Sequence, residues 1–437
     1  MVWFSIPYRI LFMENIMKIY MLIILLCYTF FSCKTDNDIE PTYNTRIEWT
    51  SNLYSNDYES HTVYEDYIYF YERPPGYTTT NTYSLTKLNA KTGEFIWRSM
   101  EFSNIVFCQP IVTGDYVFTL LKPNYILSFS KETGEHKATM TFDIQDENLE
   151  FECNTALFKN YFYIGLWGKK ASYFIRFNMN KINNENGPDL LQSVLPEILW
   201  EIKNNSAITA RPIVYNNCIY TGTFSPLALE PIEVVGIDTN TGKMVFHIEF
   251  GGPEDNNDNI LPETGAGIDG NPIFIHEDTL YYLSRSISAW NINTGEKLYR
   301  HVFTYDIPYS KWYIASSLQP VYHNGNIYYT GSAADSEKGY RNIHCINAAT
   351  GKLVWNTIVK DSETLQTNPI IAHNKLYISQ NSGFYVYNPK NGKLLGVDRT
   401  FCGAGLFGRN ILYNDYMICI RKDDTGCGKL VAVYVGK

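Results

Sequence analysis

The chain has 437 residues and a formal net charge of −9; 45% of it is hydrophobic, 19% charged and 15% aromatic, with 35 Tyr. This balance is that of a globular protein of one large or two to three ordinary domains, and the Tyr content favours pleated sheet over helix. The acidic balance and the scatter of its charges leave no basic footprint for a phosphate backbone, which excludes a nucleic-acid partner.

In chain order, the first element is a leader. From Met17 the sequence reads MKIYMLIILLCYTFFSC, with Lys18 as a short positive region and Ile19 to Phe31 as an apolar run. The run is too short and wrongly flanked for a spanning helix and fits a signal peptide. Its end, Phe30-Phe31-Ser32-Cys33, resembles the lipobox of bacterial lipoproteins, with Phe30 where Leu is usual. By that resemblance residues 1–33 are the signal peptide, and Cys33 is the lipidated first residue of the mature protein, its anchor to a membrane. Residues 34–45, opening KTDNDIEP, read as a flexible tether. The same acidic stretch is similar to the export signal of Bacteroidetes-type surface lipoproteins. The expected location is the outer membrane, facing the periplasm or the cell surface.

Residues 46–437 repeat themselves. The segments LNAKTGEFIW (88–97), FSKETGEHKA (129–138), IDTNTGKMVF (237–246), WNINTGEKLY (290–299), INAATGKLVW (346–355) and YNPKNGKLLG (387–396) start apolar and carry Thr-Gly or Asn-Gly at their fifth and sixth places. Four end in an aromatic: Trp97, Phe246, Tyr299 and Trp355. Each reads as a hairpin whose Gly accepts the positive φ of the turn. A second motif precedes each turn: QPIVTGDYVF (109–118), RPIVYNNCIY (211–220), NPIFIHEDTLY (271–281), QPVYHNGNIY (319–328) and NPIIAHNKLY (368–377), where Pro opens a strand. HTVYEDYIY (61–69), TALFKNYFY (155–163) and NILYNDYMI (410–418) share its spacing without Pro. In the third unit FYIGLW and YFIRFNMN read as strands, and ILWEI supplies the Trp after an insertion around 181–196 replaces the turn.

Eight such units predict an all-β, eight-bladed β-propeller of four-stranded antiparallel blades. Arg46-Ile47-Glu48-Trp49 reads as a lone outer strand, and the last unit, ending in KLVAVYV (429–435), lacks one. Pairing of the N-terminal strand with the last blade closes the ring and removes two open edges.

The Thr-Gly-Lys-x-x-Trp hairpins and x-Pro-[Ile/Val] strands resemble the repeat of pyrroloquinoline-quinone-type β-propellers, over nearly all of residues 46–437. That family holds quinone-dependent alcohol dehydrogenases and the non-enzymatic lipoprotein of the outer-membrane β-barrel assembly machinery. The resemblance implies the fold and leaves the activity open, because the repeat residues are structural. In the dehydrogenases the cofactor lies between a Trp and an adjacent Cys-Cys disulfide, with Ca²⁺ and an Asp base. Here no two Cys are adjacent, and Asp269 is the only obvious carboxylate candidate. Cys108, Cys153, Cys218, Cys345, Cys402, Cys419 and Cys427 follow Cys33; most read as small buried apolar residues, with Cys402 and Cys427 the first pair to test.

Other motifs carry little chemistry. GAGIDG (265–270) and GAGLFG (403–408) precede strands where a dinucleotide fingerprint needs a helix. DNNDN (255–259) lacks the Gly and distant Glu of a Ca²⁺ loop. The reading therefore assigns no catalytic residue, no metal ligand and no cofactor. The candidate site is the ring of residues preceding the Pro place at the mouth of the central channel: Ser60, Gln109, Asn154, Arg211, Asn271, Gln319, Asn368 and Arg409. Such donors suit an anionic or carbonyl-bearing ligand, or simply solvate the channel and bond to neighbouring blades. The family resemblance implies a non-enzymatic envelope lipoprotein that binds a protein partner through loops around 73–82, 181–196, 224–233, 251–267 and 332–341. A quinone-dependent dehydrogenase and a surface glycan-binding protein are the alternatives.

Overall fold

The computed structural model describes residues 41–55, 61–73, 82–105, 108–151, 155–182, 191–203, 208, 211–223, 232–250, 273–283, 286–302, 320–333, 340–359, 367–380, 383–401, 410–422 and 428–436. The chain is all-β, an eight-bladed propeller of four-stranded antiparallel blades. Blade 1 runs from inner strand His61–Tyr64 to outer strand Phe95–Ser103, blade 2 from Ile111–Val112 to His136–Phe142, and blade 3 from Ala156–Phe158 to Glu197–Ile202. Blade 4 spans Ile213–Tyr215 to Met244–Phe250, blade 5 Ile273–His276 to Lys297–Val302, blade 6 Val321–His323 to Leu353–Val359, and blade 7 Ile370–Ala372 to Leu394–Asp398. Blade 8 begins at Ile411–Tyr413 and takes the N-terminal strand Ile47–Ser55 as its outer member.

Burial follows position in the blade. The second and third strands, such as Tyr67–Glu72 and Ser172–Asn178, are buried almost throughout because a neighbouring blade covers each face. The outer strand Phe95–Ser103 mixes buried Trp97, Ser99 and Phe102 with exposed neighbours, as a peripheral strand does. The apolar residues fall into eight clusters, one for each junction between adjacent blades. The cluster joining blade 8 to blade 1 packs Ile418, Ile420, Leu430 and Ala432 on Ile68, Phe70 and Leu88, with Trp49 and Leu53 beside them. The core is therefore a closed ring of inter-blade layers.

The recurring turn serves that ring. Gly93, Gly134, Gly242, Gly295, Gly351 and Gly392 all sit near φ +70°, between +67° and +74°, where a side chain strains the backbone. At four of these turns the glycine also lies against an aromatic of the preceding blade's outer strand: Gly93 on Trp49, Gly134 on Trp97, Gly351 on Tyr299 and Gly392 on Trp355. A Cβ at these glycines would stand 2.3–2.6 Å from ring carbons. The same aromatics hydrogen-bond the carbonyl three residues before the glycine. Trp49 Nε1 donates to Ala90 at 3.2 Å, Trp97 to Lys131 at 3.0 Å, Trp355 to Pro389 at 2.9 Å, and the Tyr299 hydroxyl to Ala348 at 2.5 Å. The glycine and the aromatic thus recur together because at these four turns the glycine docks on its neighbour's aromatic.

Blade 3 meets blade 4 by another device. Arg176 donates through Nη1 to the Thr239 carbonyl at 2.6 Å, the carbonyl three residues before Gly242. Glu197 holds the guanidinium through Nε at 2.8 Å and Nη2 at 3.1 Å. Part of the insertion before this outer strand, Leu191–Val194, leaves blade 3 and pairs in parallel with the outer strand of blade 2.

The ends of the chain are interlocked. Ile47 pairs with Val433, Trp49 with Ala432 and Ser55 with Gly428, and Ser55 also pairs with Glu72 of blade 1. Before this strand, Tyr43 N–H donates to the Val397 carbonyl of blade 7 at 2.9 Å, and Thr45 N–H to the Asp398 carboxylate at 3.0 Å. The N-terminal segment consequently touches three successive blades, 7, 8 and 1.

Two stability predictions test this packing. Gly351→Ala should destabilise more than Gly295→Ala: both have positive φ, but nothing lies within 4 Å of a Cβ at Gly295. Backbone strain alone costs about 1–2 kcal/mol, so urea unfolding should give that for Gly295→Ala and a larger loss for Gly351→Ala. Separately, burial pulls the His344 pKa from 6.5 down to about 3. The folded chain keeps this ring neutral while the unfolded chain protonates it below pH 6.5, so the stability it allows is complete above 6.5 and falls as pH drops towards 3. The slope is at most about 1.4 kcal/mol per pH unit, and His344→Phe should flatten it in a pH series of chemical unfolding.

Candidate functional site at the channel mouth

The inner strands place the residues around their first positions at one end of the central channel, and there the blades exchange hydrogen bonds. Thr62 Oγ1 of blade 1 donates to the Pro110 carbonyl of blade 2 at 2.7 Å. Between blades 6 and 7, Thr330 Oγ1 donates to the Thr367 carbonyl at 3.2 Å.

Of the eight ring residues predicted, Gln109, Arg211 and Asn368 lie among the described residues; Ser60, Asn154, Asn271, Gln319 and Arg409 lie outside them. Asn368 and Gln109 are buried, and Arg211 is half-buried. Arg211 Nη2 of blade 4 donates to Gln109 Oε1 of blade 2 at 3.4 Å. These blades are not neighbours, so the contact spans the intervening blade 3. The Gln109 amide nitrogen is buried with no hydrogen-bond partner among the described residues. An unpaired buried donor beside a guanidinium is a place where a carbonyl or carboxylate oxygen would be stabilised.

Asn368 is committed to structure. Its Nδ2 donates to the Asn410 carbonyl at 2.9 Å, and its Oδ1 accepts from Asn410 N–H at 2.7 Å. Asn410 returns a bond through Nδ2 to the Asn368 carbonyl at 2.9 Å and accepts from Ser379 Oγ at 2.8 Å. This reciprocal clasp joins blades 7 and 8. Sequence reading missed Asn410 because it occupies the Pro place; an Asn where other units carry Pro was the available signal.

The remaining candidates divide in the same way. Cys108, Cys345 and Cys419 are buried and Cys218 is half-buried. Burial pushes Cys345 up to about 11 and Cys419 up to about 12, so these thiols stay protonated and unreactive at neutral pH. Cys33, Cys153, Cys402, Cys427, Asp269, GAGIDG, GAGLFG and DNNDN lie outside the described residues. Among the described residues no three His, Cys, Asp or Glu side chains are grouped to hold a metal ion.

Known proteins place this architecture. The family model described as outer membrane protein assembly factor BamB matches residues 283–397, from the end of the second strand of blade 5 through most of blade 7. Over this stretch the chain resembles a PQQ-like β-propeller repeat. This propeller is similar to BamB from Moraxella catarrhalis, at 10% identity and TM-score 0.55, over 89% of this chain and 98% of that one. It is also similar to quinohemoprotein alcohol dehydrogenase from Comamonas testosteroni, at 11% identity and TM-score 0.64, over 90% of this chain and 77% of that one. A europium-containing methanol dehydrogenase matches at 11% identity and TM-score 0.63, over 88% and 85% of the two chains. These likenesses establish the shared propeller fold. Comparison with curated protein sequences gives no match.

The clasp and the pair of Gln109 and Arg211 predict different responses. Asn410→Ala removes two buried side-chain bonds and should destabilise the propeller by about 2 kcal/mol, at roughly 1 kcal/mol per bond. Arg211→Ala at the half-buried mouth should cost less than about 1 kcal/mol, as urea unfolding of the two variants would measure.

Proposed function

We propose that the chain is a non-enzymatic scaffold of the cell envelope, held at the outer membrane by a lipid on Cys33 and binding a protein partner through its loop faces. The observation that carries this reading is the extent of the BamB match: the alignment takes in 98% of that chain but only 77% and 85% of the two dehydrogenases. The repeat residues support it as well, since Trp49, Trp97, Trp355 and Tyr299 are spent on holding blades together. Trp indoles so engaged are unavailable to sandwich a cofactor.

Quinone-dependent oxidation is the second reading, favoured by the TM-scores of 0.64 and 0.63. The pair of Gln109 and Arg211 could receive an anionic ring there. The sequence has no adjacent Cys pair of the kind that the family resemblance associates with the cofactor.

Affinity purification of the tagged lipoprotein from envelopes separates the two. The scaffold reading expects a specific envelope protein to co-purify, with labelled palmitate on the wild type and none on Cys33→Ser. Dye reduction after addition of quinone and Ca²⁺, with no protein recovered, would favour the dehydrogenase instead.

A further inference from the structure

The outer rim of blades 4 to 7 carries apolar side chains that no core cluster holds. Met244, Val245, Leu298, Leu353, Val354 and Leu395 are between 41% and 59% exposed. Each stands one or two residues before Phe246, Tyr299, Trp355 or Gly396, the repeat's aromatic place. They therefore share one end of the outer strands, beside the glycine turns. Isolated surface apolar residues are ordinary, but the same position filled in four consecutive blades makes a continuous arc.

The arc is also basic. Lys243, Lys297, Lys352, Lys390 and Lys393 are all exposed in these turns or the residues flanking them. Glu296 is the exposed carboxylate among them, and Asp238 is occupied in accepting from the N–H groups of Asn240 and Thr241. This local excess of lysine stands out in a chain of net charge −9. Glu277 and Asp278, at the same end of blade 5, belong to the inner hairpin, and the Asp278 carbonyl accepts from Ile292 N–H of the outer turn at 2.9 Å.

We propose that this arc seats the propeller on an anionic lipid surface, with the apolar side chains entering the headgroup layer and the lysines meeting phosphates. That is the pattern by which a folded surface adsorbs to acidic lipid. The proposal extends the reading of a lipid-anchored protein and rests on it for the presence of a membrane nearby. Chain length agrees: residues 34–41 separate Cys33 from Thr42, which bridges to Val397, two residues from Leu395. Such a linker spans at most about 29 Å.

Residues Thr42–Lys437 form one compact unit with all eight blades and both partners of the closing strand. This unit, which lacks Cys33, is mixed with vesicles of phosphatidylcholine alone or with an equal part of phosphatidylglycerol, and the bound fraction is read by co-sedimentation. Binding should require phosphatidylglycerol and disappear in high salt. Leu353→Ser with Val354→Ser, and Lys352→Glu with Lys393→Glu, should each weaken it by about tenfold, whereas Phe95→Ser on the rim of blade 1 should leave it unchanged. Circular dichroism confirms that each variant is folded. Absence of binding, or binding indifferent to the arc variants, would overturn the proposal. Self-association abolished by Val354→Ser, without vesicle binding, would assign the arc to a second copy and also overturn it. Neither failure touches lipid attachment at Cys33, which palmitate labelling tests independently.

Discussion

A glycine turn laid on the aromatic of the preceding blade is the contact on which the propeller depends. Gly93 on Trp49, Gly134 on Trp97, Gly351 on Tyr299 and Gly392 on Trp355 repeat one geometry in which two requirements coincide. The turn needs positive φ, and the ring needs the space that a Cβ would fill. The donated bond from indole or phenol to the turn carbonyl then fixes how neighbouring sheets face each other. A single blade would leave both broad faces in water; eight inter-blade clusters bury them, and only a closed ring has no uncovered face.

The closing strand is part of this contact. Trp49, from the start of the folded segment, docks on the turn of blade 1 as Trp97 docks on that of blade 2. The strand that completes blade 8 thereby also supplies the aromatic that couples blade 8 to blade 1. Tyr43 and Thr45 extend the hold backwards onto blade 7. Separating the N-terminal segment would uncover strand edges and break contacts at three blades together.

Much of the fold was legible because its determinants are local. The glycines marked the turns, and all six have the positive φ expected of them. The polar second residue of each hairpin carried a further signal that went unread. Asn89 accepts from Lys91 and Thr92, and Asp238, Asn291 and Asn347 repeat the motif, each shaping its turn with a side-chain oxygen. Blade 3 was the harder unit, because Arg176 with Glu197 replaces the aromatic dock and Leu191–Val194 pairs with the wrong blade for a simple repeat. The channel mouth was legible only as a set of polar positions. Whether a side chain is spent on a neighbour, as Asn368 is on Asn410, or reaches past a neighbour to the next blade, as Arg211 does to Gln109, depends on distances between blades that sequence spacing does not encode.

The same division of labour shapes the functional reading. The conspicuous aromatics of the repeat are consumed by packing, so recognition falls to loop faces, the channel mouth and the exposed rim. Native-state hydrogen exchange on Ile47–Ser55 and its partner Gly428–Tyr434 tests the closed ring most directly. Protection in both strands equal to that of Tyr67–Glu72, lost only on global unfolding, is the predicted result. Exchange of Ile47–Ser55 at the rate of an open chain, with the other blades still protected, would contradict it.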